Sequence, residues 1–275
     1  MTFKVIITGA SGVLGSAVRA AFSGAGAGTE VLSLAHSRSG DGLTKLDLLN
    51  EGEVERVFRD FKPNWVIHCA AERRPDVAEK DPEGAQKLNA GVPGHLARLA
   101  KSLKFTLLYG QAKLDGELAI LGVEGAAAVI LRVPVLYGPA PNNSDSAVNI
   151  LVDVVQDQSG KSYKMDHYAT RYPTCTVDIA NFLVKLSAYK KPIPPILHYS
   201  GAEPFTKYEM CLIFAQILRL PHGHIIPDAD PPTGTGATTR PRDCQLYTKE
   251  TEDLGLEDGL GLSLFEEWWS EYLKK

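Results

Sequence analysis

Three glycines near the start of the chain restrict its fold more than any other feature. A short apolar run, Phe3 to Thr8, leads directly into Gly9, Gly12 and Gly15, and an amphipathic stretch follows. In this spacing the first glycine permits a tight turn, the second lets the backbone approach a pyrophosphate, and the third lets a helix pack close to the strand. The pattern predicts a strand, a turn and a helix whose first amides bind phosphate. The alternative is the same local structure without a ligand.

The residues of this turn form the first part of a predicted dinucleotide site. They are Thr8, Gly9, Ser11, Gly12, Val13, Leu14 and Gly15. A glycine triplet alone is a weak signal of nucleotide binding. This one directly follows a strand of the buried type, and that position favours nucleotide binding.

The length and composition are those of an ordinary globular protein. The chain has 275 residues, 44% of them hydrophobic and 23% charged, which suits one large domain or two small ones. A net charge of −4 gives no reason to expect nucleic acid or an anionic membrane as a partner. The four cysteines lie far apart, which predicts free thiols in a reducing compartment, and we expect a cytoplasmic protein. No apolar run approaches the roughly 20 residues of a membrane span.

Apolar strands alternate with amphipathic helices through the first half of the chain. This order predicts an α/β fold, a Rossmann-type doubly wound parallel sheet with helices on both faces. We expect strands at 5–8, 30–35, 65–71, 104–109 and 126–133, and helices at 50–61, 81–104, 113–121, 177–189, 206–220 and 265–273. Pro93 predicts a kink in the longest helix.

The amino-acid composition changes at Pro134, after which proline and glycine become frequent. We therefore place a dinucleotide-binding, Rossmann-type domain at 1–133, to which 176–200 returns as a last helix and strand. A smaller, substrate-type domain comprises 134–175 and 201–275.

The end of the predicted second strand indicates which dinucleotide fits. In NAD-binding proteins of this fold an acidic residue about 20 residues beyond the glycines binds the ribose 2′-hydroxyl. Here the strand is followed by Ser37 and Arg38, so an arginine stands where an acid would. An arginine binds a 2′-phosphate through a charge-assisted, bidentate contact, which favours NADP over NAD. The alternative is that Arg38 is a solvated loop residue.

Two further segments complete the predicted cofactor side. Asp47 and Leu48 follow a short predicted strand, where the carboxylate can approach the adenine amine or simply begin the next helix. Cys69, Ala70 and Ala71 end the third strand, and their small side chains let a ribose lie against the backbone. His68 and Cys69 lie in an apolar strand without further spaced ligands, so we interpret them as core residues and predict no metal site.

The glycine turn, the segment 68–71 and Tyr109-Gly-Gln-Ala-Lys113 together resemble an extended short-chain dehydrogenase/reductase. Tyr109 and Lys113 match that family's Tyr-x-x-x-Lys pair, which lies on one face of a helix. The resemblance implies that the ammonium lowers the pKa of the phenol, which exchanges a proton as hydride moves. It also implies that Arg73, Asn89 and Val133 belong to the cofactor site.

Finer matches narrow the resemblance. The segment 240–246 resembles the late Arg-Pro segment of dTDP-4-dehydrorhamnose reductases, and 68–77, 165–174 and 206–210 resemble one branch, the regulatory β subunits of methionine adenosyltransferase. This branch implies an NADP-binding reductase fold that modulates S-adenosylmethionine synthesis by binding the methionine adenosyltransferase catalytic subunit. The alternative is an NADPH-dependent reductase of a dTDP-4-keto-6-deoxysugar. Its substrate pocket would use Arg171, Arg240 and Arg242.

One departure from the family's pattern bears on mechanism. The family has a long segment before the Tyr-x-x-x-Lys helix, and a serine or threonine there polarises the substrate carbonyl. Here Tyr109 directly follows Leu108 of the predicted strand, with no such segment between them. Loss of one donor to a developing oxyanion typically costs about 3–4 kcal/mol. We therefore predict a very poor reductase, with the strand shortened or Tyr109 displaced, so that Tyr109 and Lys113 are vestigial or impaired. The alternative is that the natural protein has a segment at this junction that this sequence lacks.

Overall fold

A computed structural model describes residues 2–37, 40–72, 79–110, 114–231 and 241–274. Its amino-terminal half alternates strands and helices, as predicted. In chain order the elements are β1 (Phe3–Thr8), α1 (Val13–Gly24), β2 (Thr29–Ala35), β3 (Leu43–Lys45), α2 (Glu51–Phe61), β4 (Trp65–His68), α3 (Pro82–Gln86), a π-helical turn (Lys87–Gly91), α4 (Val92–Leu103), β5 (Thr106–Tyr109), α5 (Leu114–Leu121) and β6 (Ala128–Arg132).

The carboxy-terminal half is less regular, and short strands separate its helices. In chain order it contains β7 (Leu136–Tyr137), a 3₁₀ turn (Asn143–Asp145), α6 (Ile150–Gln156), β8 (Tyr163–Asp166), β9 (Thr174–Cys175), α7 (Thr176–Ser187), β10 (Ile196–His198), α8 (Lys207–Leu218), β11 (Ile225–Asp228), α9 (Lys249–Glu252) and α10 (Phe265–Tyr272).

Seven strands form one parallel sheet in the order β10-β6-β5-β4-β1-β2-β3. The prediction of an α/β, doubly wound parallel sheet is confirmed. The strand order reverses between β1 and β4, and in such sheets ligands bind in the crevice outside the carboxyl ends of these two strands. The glycine turn follows β1, so the fold places it at this crevice.

Two apolar layers cover the sheet because residues that alternate along each strand point to opposite faces. On one face, side chains such as Val5 and Ile7 pack with α1 and α7. On the other, Ile6 and Leu107 pack with α2, α4 and α5. Strands buried on both faces explain why the sequence shows continuous apolar runs rather than alternation.

The segment 176–200 joins the large sheet. Helix α7 packs against α1, and β10 pairs with β6 through Ile196 and Ile130. A separate apolar cluster joins α6, α8 and α10 around Phe214 and Trp269. The division into two domains stays a prediction.

The long helix predicted at 81–104 is divided. It begins at Pro82, widens into the π-helical turn Lys87–Gly91 and resumes as α4, with Pro93 in the first turn of α4. Proline has no amide hydrogen to donate, so the regular ladder of hydrogen bonds cannot pass through it. The predicted kink at Pro93 thus takes the form of an expanded turn just before it.

The glycine turn depends on close packing. Gly9 has a φ of +66°, and a Cβ there would lie 2.7 Å from the amide nitrogen of Ala70. A Cβ on Gly15 would overlap the carbonyl oxygen of Gly9. Only glycine at both positions lets α1 start this close to β1 and β4. Within the described residues, no helix has the length and apolar character needed to cross a membrane.

We expect Gly15→Ala to lower the free energy of unfolding by about 1–3 kcal/mol, because the added methyl group overpacks the turn. Gly24→Ala is the matched control, since it lies in the same helix and its Cβ would meet nothing within 4 Å. That control should keep or raise stability by up to about 1 kcal/mol. Urea denaturation of the ligand-free protein measures both, and equal effects would contradict the packing argument.

Candidate dinucleotide site

A cavity of about 760 Å³ opens at the carboxyl ends of β1, β2 and β4. Many of the predicted cofactor residues line it. They are Gly9, Ser11, Gly12, Val13, Leu14, Ser37, Asp47, Leu48, Cys69, Ala70, Ala71 and Val133. Arg38, Arg73, Lys113 and Arg240 lie outside the residues that the structure describes.

The start of α1 faces this cavity. Its N-cap residue, Gly12, has no side chain to bond the first amides, and the first turn holds no acidic residue. The first amides of a helix have no partner within it, and the helix dipole attracts negative charge there. A Cβ on Gly12 would meet only the carbonyl oxygen of Gly9, at 3.3 Å, so its missing side chain leaves room for a ligand. The arrangement suits a phosphate.

Beyond the glycine turn, the cavity extends along the ends of β2 and β3. Ser37 lies at its wall, and Leu48 and the half-exposed Leu49 offer an apolar surface. Asp47 Oδ1 accepts a hydrogen bond from the Leu49 amide at 3.0 Å, which fixes the carboxylate at the wall. Asn50 caps α2 by accepting from the Glu53 amide, so Asp47 is not the residue that begins this helix.

The end of β4 supplies small residues to the cavity, whereas Thr8 and His68 lie beneath it. Thr8 Oγ1 is 2.6 Å from His68 Nδ1, and both residues are fully buried. Burial lowers the pKa of His68 to about 3, so the imidazole is neutral at physiological pH. Burial also raises the pKa of Cys69 to about 12, which makes it a poor nucleophile. The structure thus places Thr8 under the site rather than at its wall.

Asn89 and Gly15 also act indirectly, since neither lines the cavity. The Asn89 side chain accepts from the Glu72 amide at 2.9 Å and donates to the Glu72 carbonyl at 3.2 Å. It therefore holds the segment after β4 in place. Gly15 permits the close approach of helix and turn described above.

Tyr109 does not reach the cavity, a correction to its expected place in the cofactor and catalytic site. It is the last residue of β5, it is fully buried in the layer with α4 and α5, and its ring stacks on His68 with centroids 5.7 Å apart. Its hydroxyl has no hydrogen-bond partner in the described structure. The residue that meets the cavity at the end of β5 is Gly110.

The surroundings of Tyr109 oppose acid–base chemistry. A Cβ on Gly116 would lie 2.5 Å from the Tyr109 hydroxyl, so the phenol is pressed against the backbone of α5. Burial, and secondarily the negative charge of Glu117, raise the pKa of Tyr109 above its ordinary value. A proton-transferring tyrosine of the reductase type needs the opposite shift. The physical cause is its place in the chain: Tyr109 is the last residue of β5, so its side chain points to a face of the sheet instead of standing on the helix, which is described from Leu114.

Of the predicted substrate arginines, Arg171 and Arg242 lie on neighbouring segments. The Thr170 amide donates to the Arg242 carbonyl at 2.7 Å. Arg171 is buried and pairs with Asp166 at 3.4 Å, whereas the Arg242 guanidinium lies over the ring of Tyr168. Neither lines the cavity.

One wall of the cavity was not predicted from the sequence. Pro134, Val135 and Leu136 line the cavity, as do Ser146 and Ala147. The Ser146 hydroxyl donates to the Leu136 carbonyl at 2.6 Å, which joins the two segments. The sequence signal that could have indicated this wall is the proline-containing segment that follows β6. The four cysteines are free, as predicted, and no group of three potential metal ligands occurs among the described residues.

Comparison with known proteins decides the family. The model of the RmlD substrate binding domain matches residues 3–109 and 106–260. The methionine adenosyltransferase 2 subunit beta of Xenopus laevis is 39% identical, over 92% of this chain and 83% of its own length. The chain belongs to the methionine adenosyltransferase 2 subunit beta family. The family member of Rattus norvegicus is 36% identical over the same shares of the two chains.

Solved structures agree with this family in fold. A dTDP-4-dehydrorhamnose reductase from Bacillus anthracis, in complex with NADP, has a TM-score of 0.80 and 19% identity, and covers 100% of this chain and 99% of its own. The corresponding reductase of Clostridium acetobutylicum gives 0.80 and 22%, covering 99% of each.

The same comparisons bear on the missing segment. The alignment with the Xenopus laevis subunit spans 283 residues, although only 92% of the 275 residues here take part. The relative therefore has positions that this chain lacks. The family model is matched in two pieces that meet at 106–109, in β5. That break coincides with the junction at which the sequence predicts a lost segment.

We expect Tyr109→Phe to leave the free energy of unfolding unchanged or raise it by about 1–2 kcal/mol, because it removes a buried hydroxyl without a partner. Tyr163→Phe is the contrasting variant, since the Tyr163 hydroxyl donates to the Asp157 carboxylate. It should cost about 1–2 kcal/mol. Thermal and urea unfolding measure both, and a clear loss of stability in Tyr109→Phe would show that the hydroxyl is hydrogen-bonded.

Proposed function

We propose that this chain is an NADP-binding regulatory subunit of methionine adenosyltransferase that modulates S-adenosylmethionine synthesis and does not itself reduce a substrate. The observation that carries the proposal is the contrast between an open helix start at the cavity and a buried Tyr109 beneath α5. The molecule keeps the surface for a dinucleotide, while the group that would transfer the proton lies elsewhere.

Three features support binding of a dinucleotide. The cavity is large enough for a ligand of this size, and its walls are mostly apolar, with the carboxylates of Asp47, Glu72, Asp81 and Asp145 among its polar groups. Its centre lies at the reversal point of the strand order, next to an uncapped helix start. A dinucleotide laid across this point has one half along β2 and β3 and the other along β4, β5 and β6.

The choice of NADP rests on the end of β2. The wall there carries His36 and Ser37 and no acidic residue at the strand end to accept from a ribose 2′-hydroxyl. Arg38 follows in sequence, and an arginine favours the 2′-phosphate. The NADP bound by the Bacillus anthracis reductase fits the same choice.

The partner follows from the relatives, whose name describes them as a subunit of methionine adenosyltransferase. We propose the catalytic subunit of that enzyme as the partner and the cytoplasm as the compartment. A role by binding requires no substrate chemistry, which agrees with the loss of the segment before α5. The alternative, a dTDP-4-keto-6-deoxysugar reductase, would need a proton donor at the cavity, and Gly110 occupies that place.

The cofactor proposal is tested by calorimetric titration with NADP and NAD. We expect the wild-type chain to bind NADP more tightly than NAD, and Arg38→Ala to reduce that preference by about tenfold or more. Gly12→Ala should weaken both dinucleotides at least tenfold and cost less stability than Gly15→Ala, because its Cβ would meet only the Gly9 carbonyl oxygen, at 3.3 Å, whereas a Cβ on Gly15 would overlap that atom. Gly24→Ala serves as the unaffected control. Absence of heat with either dinucleotide at millimolar concentration would refute the proposal.

The partner proposal is tested by co-purification with the methionine adenosyltransferase catalytic subunit, with and without NADP. We expect a stable complex and a changed rate of S-adenosylmethionine formation. The Clostridium acetobutylicum reductase is the matched control, because it shares the fold. In parallel, NADPH oxidation with a dTDP-4-keto-6-deoxysugar should stay at background. No complex, or brisk oxidation, would favour the reductase alternative.

A further inference from the structure

The loop between β2 and β3 is short for the connection it makes. The two strands are parallel neighbours, with Ser33 opposite Leu43. A connection between parallel strands usually takes about a dozen residues or more, because the chain must return to the starting end of the sheet. Here residues 36–42 make the whole return. Two of them, His36 and Ser37, line the cavity, so the path of this loop shapes one wall of the dinucleotide site.

A tight turn reverses the chain at the end of this loop. The Leu43 amide donates to the Gly40 carbonyl at 2.8 Å, and the central residues Asp41 and Gly42 have φ of +48° and +76°. Positive φ at both central positions is typical of a type I′ turn, for which Asp-Gly is a preferred pair. The left-handed region is unfavourable for a residue with a Cβ, so the conformation of Asp41 gains from a contact outside the turn.

Arg19 of α1 makes that contact. Its Nη2 donates to the Asp41 carbonyl, and a Cβ on Gly42 would lie 3.1 Å from the same nitrogen. The guanidinium therefore lies against the turn where Gly42 has no side chain. A hydrogen bond from a charged donor is stronger than one between neutral groups. Because Arg19 belongs to the helix that follows the glycine turn, the contact ties the β2–β3 loop to that helix.

We propose that Arg19 is a positioning residue for the selection of NADP over NAD, an inference that rests on the proposed dinucleotide function. The loop is held at one end by β2 and at the other by the contact with Arg19, and Arg38 follows Ser37 between these ends in sequence. A bidentate contact with a 2′-phosphate needs defined geometry, which a held backbone provides. Fixing the ends of the loop before the ligand arrives lowers the entropic cost of that contact.

The proposed role of Arg19 is indirect. Arg19 does not line the cavity, and its guanidinium is bonded to the turn. The two dinucleotides differ only in the 2′-phosphate, and the glycine turn offers the same amides to the pyrophosphate of both. Loss of the contact should therefore change the discrimination between NADP and NAD. A variant that merely destabilised the fold would weaken both dinucleotides alike.

Calorimetric titration of the full chain with NADP and NAD tests the proposal. We expect Arg19→Ala to lower the ratio of the two affinities about threefold to tenfold with the affinity for NAD unchanged, because the 2′-phosphate contact loses its held backbone. Arg59→Ala is the matched control, since it removes the same charge from an exposed arginine in the last turn of α2. It should leave the ratio unchanged.

A double-mutant cycle separates positioning from direct contact. In an Arg38→Ala background, Arg19→Ala should lower the ratio of the NADP and NAD affinities no further, because Arg19 acts through Arg38. An equal effect of Arg19→Ala in both backgrounds would mean that Arg19 attracts the 2′-phosphate by itself, and it would overturn the positioning role.

Hydrogen–deuterium exchange of the ligand-free chain gives a readout that needs no dinucleotide. The Leu43 amide closes the turn, and it should exchange at least about threefold faster in Arg19→Ala than in the wild type or in Arg59→Ala. Unchanged exchange of this amide overturns the inference alone, as does an unchanged affinity ratio in Arg19→Ala when the wild type prefers NADP. A wild-type chain that binds neither dinucleotide overturns the proposed function and this inference with it.

Discussion

The close approach of the glycine turn to the end of β4 is the contact on which the rest of the site depends. Gly9 adopts a left-handed conformation and lies against the backbone of Ala70, and Gly15 lies against the carbonyl of Gly9. Because no side chain intervenes, α1 begins at the crevice between β1 and β4. Its amides then face the cavity instead of a capping side chain. A bulkier residue at either position would move the helix start away from the cavity.

The short connection between β5 and α5 determines what meets the cavity at the end of β5. It leaves Gly110 at the cavity and places Tyr109 in the layer between the sheet and the helices. There the phenol is removed from solvent, and its pKa rises because burial disfavours the charged form. Helix α5 follows, and the contacts of Gly116 with Tyr109 and of Glu117 with Arg132 fix which of its faces is exposed.

Much of the fold could be predicted because its signals are local. The apolar run and glycines of 3–15 specify β1, the turn and α1. The helix starts predicted at Asn50 and Thr206 are confirmed, and both residues prove to be side-chain caps. The indirect roles of Thr8 and Asn89 could not be predicted in this way. Thr8 meets His68 on the neighbouring strand, and Asn89 meets Glu72 across a π-helical turn that opens before Pro93. Contacts between residues distant in sequence have no periodic pattern.

The sequence by itself determined the fold class, the family, the position of the glycine turn and the absence of a segment before Tyr109. Strand and helix periodicity, glycine conformational freedom and motif spacing act over a few residues, so they can be recognised in the sequence alone. The tertiary structure alone decided that Tyr109 points into the core, that residues 134–136 and 146–147 form one wall of the cavity, and that Arg19 bonds to the turn before β3. Each of these depends on how the sheet and its layers pack, because a side chain's direction is set by neighbours far away in the sequence.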